Sequence, residues 1–363
     1  MVLKEKIFSE ENMTYYDQNG TPPEENRGTV YHAGNGFYSP YIEPIWKREK
    51  RLLRGSGNGI GIASLGYVAI SFLAGTIYAV FTQLLFPEAN IRGSFYGTET
   101  VEWIFTLLVY VFSLIIPFGI YMLAIKMPLK IALPFRKAKA DLTAGGVLVG
   151  LGACVAASYA TNALQYSLEA IGVGITMPEY DIPKTVIGMI FYFIALAVAP
   201  AFIEEMIFRG IVMQSLRRFG DIFALVASAL IFGIFHLNLI QMPYAFIAGL
   251  AIGYFVMRTG SLWVGVIIHF INNSIAVVFE LFLYDLPEET WVMINLVYNL
   301  ICVILAVIAL AALLMKYKDM FRFEKAPGVL SPAKKALYFL TSPALIVAAI
   351  GAVIMTAQYV FLL

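Results

Sequence analysis

Residues 195–220, ALAVAPAFIEEMIFRGIVMQSLRRFG, place two adjacent carboxylates inside an apolar stretch. About twenty apolar residues precede Glu204 and Glu205, and apolar residues resume after Arg209. An ionisable side chain inside a membrane span costs about 2.5–3.5 kcal/mol on insertion scales. If this stretch crosses a membrane as one helix, these three side chains need a buried partner or a function.

The composition of the whole chain indicates a membrane protein. Of its 363 residues, 60% are hydrophobic and 13% are charged, whereas a soluble domain has about 45–50% apolar and about 25% charged residues. So few charges cannot cover a water-exposed surface of this size, and so much apolar content excludes a disordered chain. The mean hydropathy is +0.77. The formal net charge of +1 gives no reason to expect a nucleic-acid partner.

Nine apolar segments predict an all-α, polytopic membrane protein with about eight or nine transmembrane helices. A helical span needs about 20 apolar residues, and no period-two alternation indicates a transmembrane barrel. Residues 1–55 are polar and predict a flexible tail, and residues 56–363 predict the transmembrane domain. The segments are 57–86, 103–125, 142–168, 183–203 with its helix continuing, 221–238, 242–257, 261–281, 291–315 and 336–362.

The distribution of Lys and Arg predicts the orientation of these helices. Fifteen of the 17 Lys and Arg residues after position 55 fall in alternate loops, on the same side as the basic residues just before the first span. Because cytoplasmic loops carry an excess of Lys and Arg, the tail is predicted to be cytoplasmic and the C-terminus to lie outside. The chain is expected to be a multi-pass integral membrane protein, of the plasma membrane if its source is bacterial.

Two pairs of glycines four residues apart, Gly146 with Gly150 and Gly249 with Gly253, predict close helix packing. Glycine has no side chain, so a helix face with glycines at this spacing lets a neighbouring helix approach its backbone. We interpret both pairs as packing surfaces without a further function.

Two of the three histidines lie inside apolar segments, His236 in ALIFGIFHLNLI and His269 in LWVGVIIHFINNSIAVVF. The distance of a residue from the predicted cytoplasmic end of its helix follows from the helical rise of 1.5 Å per residue. Glu204, His236 and His269 then lie about 16–22 Å along the helix axes. Three separate helices would therefore bring a carboxylate and two imidazoles to a similar depth. This convergence predicts a buried functional site.

Spacing within each helix indicates which side chains act together. Glu205 and Arg209 are four residues apart and are expected to pair on one helix face, as a buried Arg requires. Glu204 lies about 100° around the helix from Glu205, which leaves one carboxylate available. His269 and Asn273 are also four residues apart, so an imidazole and a carboxamide share a face.

The chemistry of these side chains suits hydrolysis. Phe232 lies one helical turn before His236 and is expected to form a wall of the site. A Glu and a His can activate water, and a second His with an Asn can donate hydrogen bonds to a developing oxyanion. Glu204, His236 and His269 could instead bind zinc, because a catalytic zinc site has three protein ligands and a water. The spacing leaves both possibilities open, so the cofactor is either zinc or none.

Three short motifs resemble those of one known family. EEMIFR at Glu204–Arg209, FGIFH at Phe232–His236 and HFINN at His269–Asn273 are similar to the EExxxR, FxxxH and HxxxN/B motifs of the CPBP intramembrane proteases. This family comprises the type II CAAX prenyl endopeptidases and the bacteriocin-processing or bacteriocin-immunity proteins. The resemblance covers about residues 183–275, which we interpret as the protease core of the bundle.

The resemblance implies an α-helical intramembrane endopeptidase that opens to the cytoplasm. It assigns water activation to Glu204 and His236 and the oxyanion site to His269 and Asn273. The Glu–Arg pair of the first motif would have a supporting role, as would Phe232. For the family, both a metallo- and a metal-free glutamate mechanism have been proposed, and the resemblance does not choose between them.

The expected substrate is a membrane-associated peptide, with lipidated and bacteriocin-type peptides as the candidates. The expected partners are this peptide and the lipid bilayer, and no oligomeric state is indicated. Two other classes of function fit the same residues. Intramembrane Glu, His and Arg also occur in the proton relays of transporters, and the family includes immunity proteins, so a non-catalytic role is the second alternative.

Overall fold

A computed structural model describes residues 32–33, 36–37, 43–85, 99–176, 181–283, 286–324, 326 and 328–362. Most of these residues are helical. The helices are α1 (Ile45–Leu85), α2 (Glu99–Ala124), α3 (Leu129–Ala132), α4 (Ala140–Glu169), α5 (Val186–Phe219), α6 (Asp221–Phe235), α7 (Gln241–Thr259), α8 (Leu262–Leu283), α9 (Glu288–Lys316), α10 (Pro332–Leu340) and α11 (Pro343–Ala357). Two antiparallel pairs of short strands accompany them, β1 (His32–Ala33) with β2 (Gly36–Phe37) and β3 (Val173–Ile175) with β4 (Val360–Leu362).

The lengths of the helices confirm the prediction of an all-α, polytopic membrane protein. Within the described residues, seven helices are long and apolar enough to cross a membrane, and the bent pair α10–α11 would make an eighth. α5 continues beyond residue 203 through both glutamates, as expected. α6 is too short to cross a membrane on its own. Its 15 residues span about 22 Å, less than the ~30 Å of a hydrocarbon core.

α1 begins at Ile45, before the predicted boundary at residue 55, and its first turns are packed by the C-terminal part of the chain. Glu49 accepts hydrogen bonds from the backbone N–H groups of Val329 and Leu330 at 2.9 and 3.0 Å, and Lys335 Nζ lies 3.3 Å away. These polar residues are thus satisfied by protein rather than by water. The rest of the predicted tail lies outside the described residues, apart from β1, β2 and residues 43–44.

The glycine pairs lie at helix contacts, as predicted. α4 packs against α7, α8 and α9. A Cβ atom on Gly146 would lie 2.7 Å from the Phe255 ring of α7, and one on Gly150 would lie 2.7 Å from Ile268 of α8. The second glycine pair faces α6 in the same way. Any larger residue would separate these helices, two of which, α6 and α8, carry residues of the predicted site.

Loops that were predicted to share a side of the membrane contact one another. The Ser261 hydroxyl donates to the backbone oxygen of Arg136 at 2.5 Å, and Lys335 Nζ donates to that of Phe219 at 2.9 Å. At the other side, β3 pairs with β4. This arrangement agrees with the predicted alternation of loops, while the compartment that each side faces stays a prediction.

Candidate active site

The two glutamates lie where α5 departs from α-helical geometry. Residues Ile194–Val198 and Glu205–Val212 form π-helical turns, and Ala199–Glu204 is the α-helical segment between them. π-Helical turns inside longer helices are uncommon and occur frequently at functional sites. The two adjacent carboxylates extend from this irregular segment towards different hydrogen-bond donors.

Glu205 and Arg209 form a buried ion pair. Arg209 Nη1 donates to Glu205 Oε1 at 2.9 Å, and the two side chains are 0–1% exposed. The guanidinium carbon lies 4.1 Å from the ring centroid of Phe232. The same Glu205 oxygen lies 2.9 Å from Nδ1 of His269. Because a carboxylate only accepts, Nδ1 of His269 is the donor, and the ion pair also orients this imidazole.

Glu204 lies beside this pair with one carboxylate oxygen bound and the other available. Oε1 accepts a hydrogen bond of 2.6 Å from the hydroxyl of Tyr110 on α2. Oε2 is buried, has no hydrogen-bond partner among the described residues, and lies 3.7 Å from Nε2 of His269. This separation is too long for a direct hydrogen bond and suits a bridging water or a substrate atom.

α8 approaches α5 closely at the carboxylates because residue 265 is a glycine. A Cβ atom at Gly265 would lie 2.7 Å from Glu205 Oε2 and 2.8 Å from Val256 Cγ2. A larger residue would push α8 away from α5. The contact between Glu205 and His269, which lies one turn further along α8, therefore depends on this glycine.

His236 follows the last residue of α6 and meets the cluster through Phe232. Its Nδ1 lies 2.9 Å from the backbone oxygen of Phe232. Since a carbonyl oxygen only accepts, Nδ1 carries the proton, and Nε2 of the neutral ring is an acceptor. The Phe232 ring lies 4.9 Å from the ring of His236 and 6.1 Å from that of His269. Phe232 thus borders both imidazoles, whereas no described contact joins His236 to Glu204.

The turn after His236 is fixed by an unusual backbone conformation and a buried side chain. Leu237 has φ 51°, a left-handed value that costs a residue other than glycine about 1–3 kcal/mol. Asn238 is 0% exposed, and its Oδ1 accepts from the N–H groups of Ile240 and Gln241 at 2.9 and 3.2 Å. The chain therefore reverses immediately after the imidazole and enters α7.

Asn273 belongs to a chain of hydrogen bonds that joins three helices. The Tyr244 hydroxyl donates to Oδ1 of Asn272 at 2.8 Å, and Nδ2 of Asn272 donates to Oδ1 of Asn273 at 3.1 Å. Nδ2 of Asn273 donates to the backbone oxygen of Leu196, in the first π-helical turn of α5, at 3.1 Å. The carboxamide is held in place, and one of its two N–H donors has no partner among the described residues.

The described side chains that could bind a zinc ion do not form a complete set of ligands. Among the described residues, no three His, Cys, Asp or Glu side chains form a group that could hold a metal ion. Glu204 and His269 are 3.7 Å apart, but the third ligand expected for a zinc-dependent enzyme, His236, does not join them. The residues in this arrangement do not fit a three-ligand zinc site, and we derive no step through a metal.

Three polar side chains of the cluster, Tyr110, Tyr244 and Asn272, were not assigned roles from the sequence. The predicted depth of the two tyrosines along their helices would have placed them level with the site. Tyr110 precedes Lys126 by 16 residues and Tyr244 precedes Arg258 by 14, about 21–24 Å along their helices. The same count places Glu204 at a similar depth.

The part of the chain that carries these side chains matches a known protein family. Residues 186–275 match the family model described as Rce1-like, type II CAAX prenyl endopeptidase Rce1-like. This region belongs to the CPBP/CAAX protease family. The match covers about a quarter of the chain and includes all of α5, α6 and α7 and most of α8. No curated protein and no solved structure matches the chain. The CPBP/CAAX region implies a protease that acts on a peptide in a membrane setting.

Proposed function

We propose that the chain hydrolyses a peptide bond at the depth of the lipid bilayer, with Glu204 as the base that activates water. The observation that carries this proposal is the buried Oε2 of Glu204, which has no partner among the described residues and lies 3.7 Å from Nε2 of His269. Burying a carboxylate oxygen without a donor is costly. The oxygen is therefore expected to meet a water or a substrate.

Glu204 and His236 share the activation of water in the proposed reaction. The water gives one proton to Glu204 Oε2 while its oxygen attacks the carbonyl carbon of the scissile bond. Nε2 of His236 accepts a second hydrogen bond from this water, because its Nδ1–H is committed to Phe232. The C–N bond of the tetrahedral intermediate then breaks, and the proton on Glu204 passes to the leaving nitrogen. The products are a carboxylic acid and an amine.

His269 and Asn273 are proposed to donate hydrogen bonds to the oxyanion. Asn273 has one uncommitted N–H group. His269 already donates from Nδ1 to Glu205, so donation from Nε2 requires the protonated imidazole, with Glu205 as its neighbouring negative charge. A donor placed at the developing charge in this way contributes about 2.7–4 kcal/mol in other acyl-transfer enzymes.

Tyr110 is proposed to position the carboxylate of Glu204. Replacing Tyr110 with Phe removes a 2.6 Å bond to Glu204 and is expected to lower kcat about tenfold to a hundredfold, because a hydrogen bond to a charged group contributes about 1.5–3 kcal/mol. KM should change little, since the hydroxyl does not contact the substrate. Initial-rate measurements on the reconstituted protein check both constants.

The matched control for this variant is Tyr121→Phe on the same helix. The Tyr121 hydroxyl contacts Ser215 at 3.3 Å and also interacts with Ser56, away from the carboxylates. Equal losses of kcat in the two variants would show that the hydroxyls stabilise the bundle in general, and would remove the positioning role of Tyr110.

The first substrate candidate is a lipidated peptide that ends in a CAAX sequence. The matching family is described as type II CAAX prenyl endopeptidase, and a lipid chain would bring the peptide to the bilayer that surrounds the site. A bacteriocin-type precursor peptide is the second candidate.

Cleavage by the full chain in liposomes tests the function directly. A prenylated CAAX peptide, the same peptide without its lipid and a bacteriocin-type precursor are incubated with wild type and with His236→Ala, and the products are identified by mass spectrometry. We expect cleavage of a membrane-bound peptide, lowered about 10²- to 10⁴-fold in the variant. A parallel incubation with a chelator and metal analysis of the purified protein distinguishes a zinc-dependent from a metal-free reaction.

Other outcomes would identify the alternative functions. Solute flux into the liposomes that depends on Glu204, without cleavage of any peptide, would indicate a transporter. Full biological effect of Glu204→Ala would indicate a non-catalytic binding or immunity protein.

A further inference from the structure

We propose that a groove between α4 and α8 binds a phospholipid with an anionic headgroup. The groove has a volume of about 600 Å³ and lies where the first turns of both helices meet the loop that precedes α4. It is separate from the side chains of the candidate active site, so the proposal does not rest on the proposed function. The lining side chains that carry the argument are Arg136, Lys137, Ala144, Leu148, Trp263 and Ile267.

Two cations lie at the loop end of the groove, and none of the described residues is their counter-ion. Arg136 and Lys137 are both exposed, and neither side chain forms a hydrogen bond or ion pair with the described part of the chain. The described residues that line the groove include no Asp or Glu. The end of the groove is therefore uniformly positive and suits a negatively charged group.

The backbone that carries these cations is fixed to α8. The Ser261 hydroxyl donates to the backbone oxygen of Arg136 at 2.5 Å, and the N–H of Leu262 donates to that of Pro134 at 3.1 Å. The two cations are thus held at the start of the groove rather than on a free loop, which lowers the entropy lost when a ligand binds.

The remainder of the groove is apolar and belongs to membrane-spanning helices. Ala144 and Leu148 of α4 and Trp263 and Ile267 of α8 line it. Trp263 is 44% exposed, and exposed Trp side chains concentrate at the interface between lipid tails and headgroups. An acyl chain fits the apolar part while the headgroup reaches the cations.

A phospholipid explains both ends of the groove. A small soluble anion would leave the apolar part uncovered, and an apolar partner helix would bury two unpaired cations at a high cost. Basic pockets between transmembrane helices bind anionic lipid headgroups in general. The groove also lies at the side of the bundle where Lys and Arg are concentrated.

Lipid binding by the full chain in nanodiscs tests the proposal. The nanodiscs contain phosphatidylcholine with a minority of phosphatidylglycerol, and native mass spectrometry reports the retained phosphatidylglycerol. In the double variant R136Q/K137Q we expect its affinity to fall about 30-fold, because each surface cation contributes about fivefold. Ala144→Leu, which fills the apolar part, should also weaken binding with both cations in place.

The matched control is the double variant K126Q/K130Q. These two exposed lysines precede the same loop and do not line the groove, so the loss of charge is identical. Equal weakening in both double variants would overturn the site in favour of general attraction to the membrane surface. Displacement of the lipid by excess glycerol phosphate would overturn it in favour of a soluble phosphate. Unchanged binding in Ala144→Leu would exclude the groove as the place of the acyl chain.

Discussion

Peptide cleavage is expected to fall about 10²- to 10⁴-fold when Glu204 is replaced with Gln, the contribution of a general base. The amide oxygen of Gln can still accept the bond from the Tyr110 hydroxyl, which holds Oε1 of Glu204 at 2.6 Å. The amide cannot take a proton from water. The variant therefore keeps the packing of the cluster and removes one chemical step, and its effect should appear in kcat rather than in KM.

Glu280→Gln is the control for this substitution, because it removes the same charge. Glu280 lies near the C-terminal end of α8. Both variants should unfold at nearly the wild-type temperature. Cleavage by Glu204→Gln within tenfold of wild type, on a substrate that wild type cleaves, would contradict the role of Glu204 as the base.

The largest expected effect on stability is that of Arg209→Met. This change leaves the carboxylate of Glu205 buried at 0% exposure without its cation, and breaking a buried pair in this way costs about 3–5 kcal/mol of unfolding free energy. The double variant Glu205→Gln/Arg209→Met removes both charges and keeps an oxygen that accepts from His269. It should therefore be more stable than Arg209→Met alone. Thermal unfolding in detergent compares the variants.

Arg217→Met provides a matched control on the same helix. Arg217 pairs with Asp221 at 2.8 Å with the same four-residue spacing, but its side chain is 34% exposed, and exposed pairs contribute about 0–1 kcal/mol. An Arg209→Met protein that is no less stable than Arg217→Met would show that Glu205 finds another partner, and would contradict the structural role of the pair.

Local sequence patterns were sufficient where the geometry of a helix sets the position of a side chain. The four-residue spacing predicted the pair of Glu205 and Arg209. The count of residues from the helix ends predicted a similar depth for Glu204, His236 and His269. Glu204 and His269 lie 3.7 Å apart, whereas no described contact joins His236 to Glu204. Both predictions use only the rise and the turn of a regular helix, which hydrophobic segments of this length reliably form in a membrane.

Contacts between distant parts of the chain could not be predicted in the same way. Tyr110 lies 94 residues before Glu204, and Glu49 lies 280 residues before Val329. Nothing in either local sequence specifies the partner. The start of α1 was therefore placed too late, and the hydrogen-bond partner of Glu204 was missed. The first π-helical turn of α5 also makes a long-range contact, since Asn273 donates to the backbone oxygen of Leu196.

The shortness of α6 sets a requirement on any peptide that reaches His236 from the predicted cytoplasmic end. Its 15 residues place the imidazole about 22 Å below Asp221. An extended chain advances about 3.3 Å per residue, so about seven residues of a substrate must be unfolded before the scissile bond reaches this depth. A compact protein with a shorter tail would be excluded by geometry alone, whatever the sequence around its cleavage site.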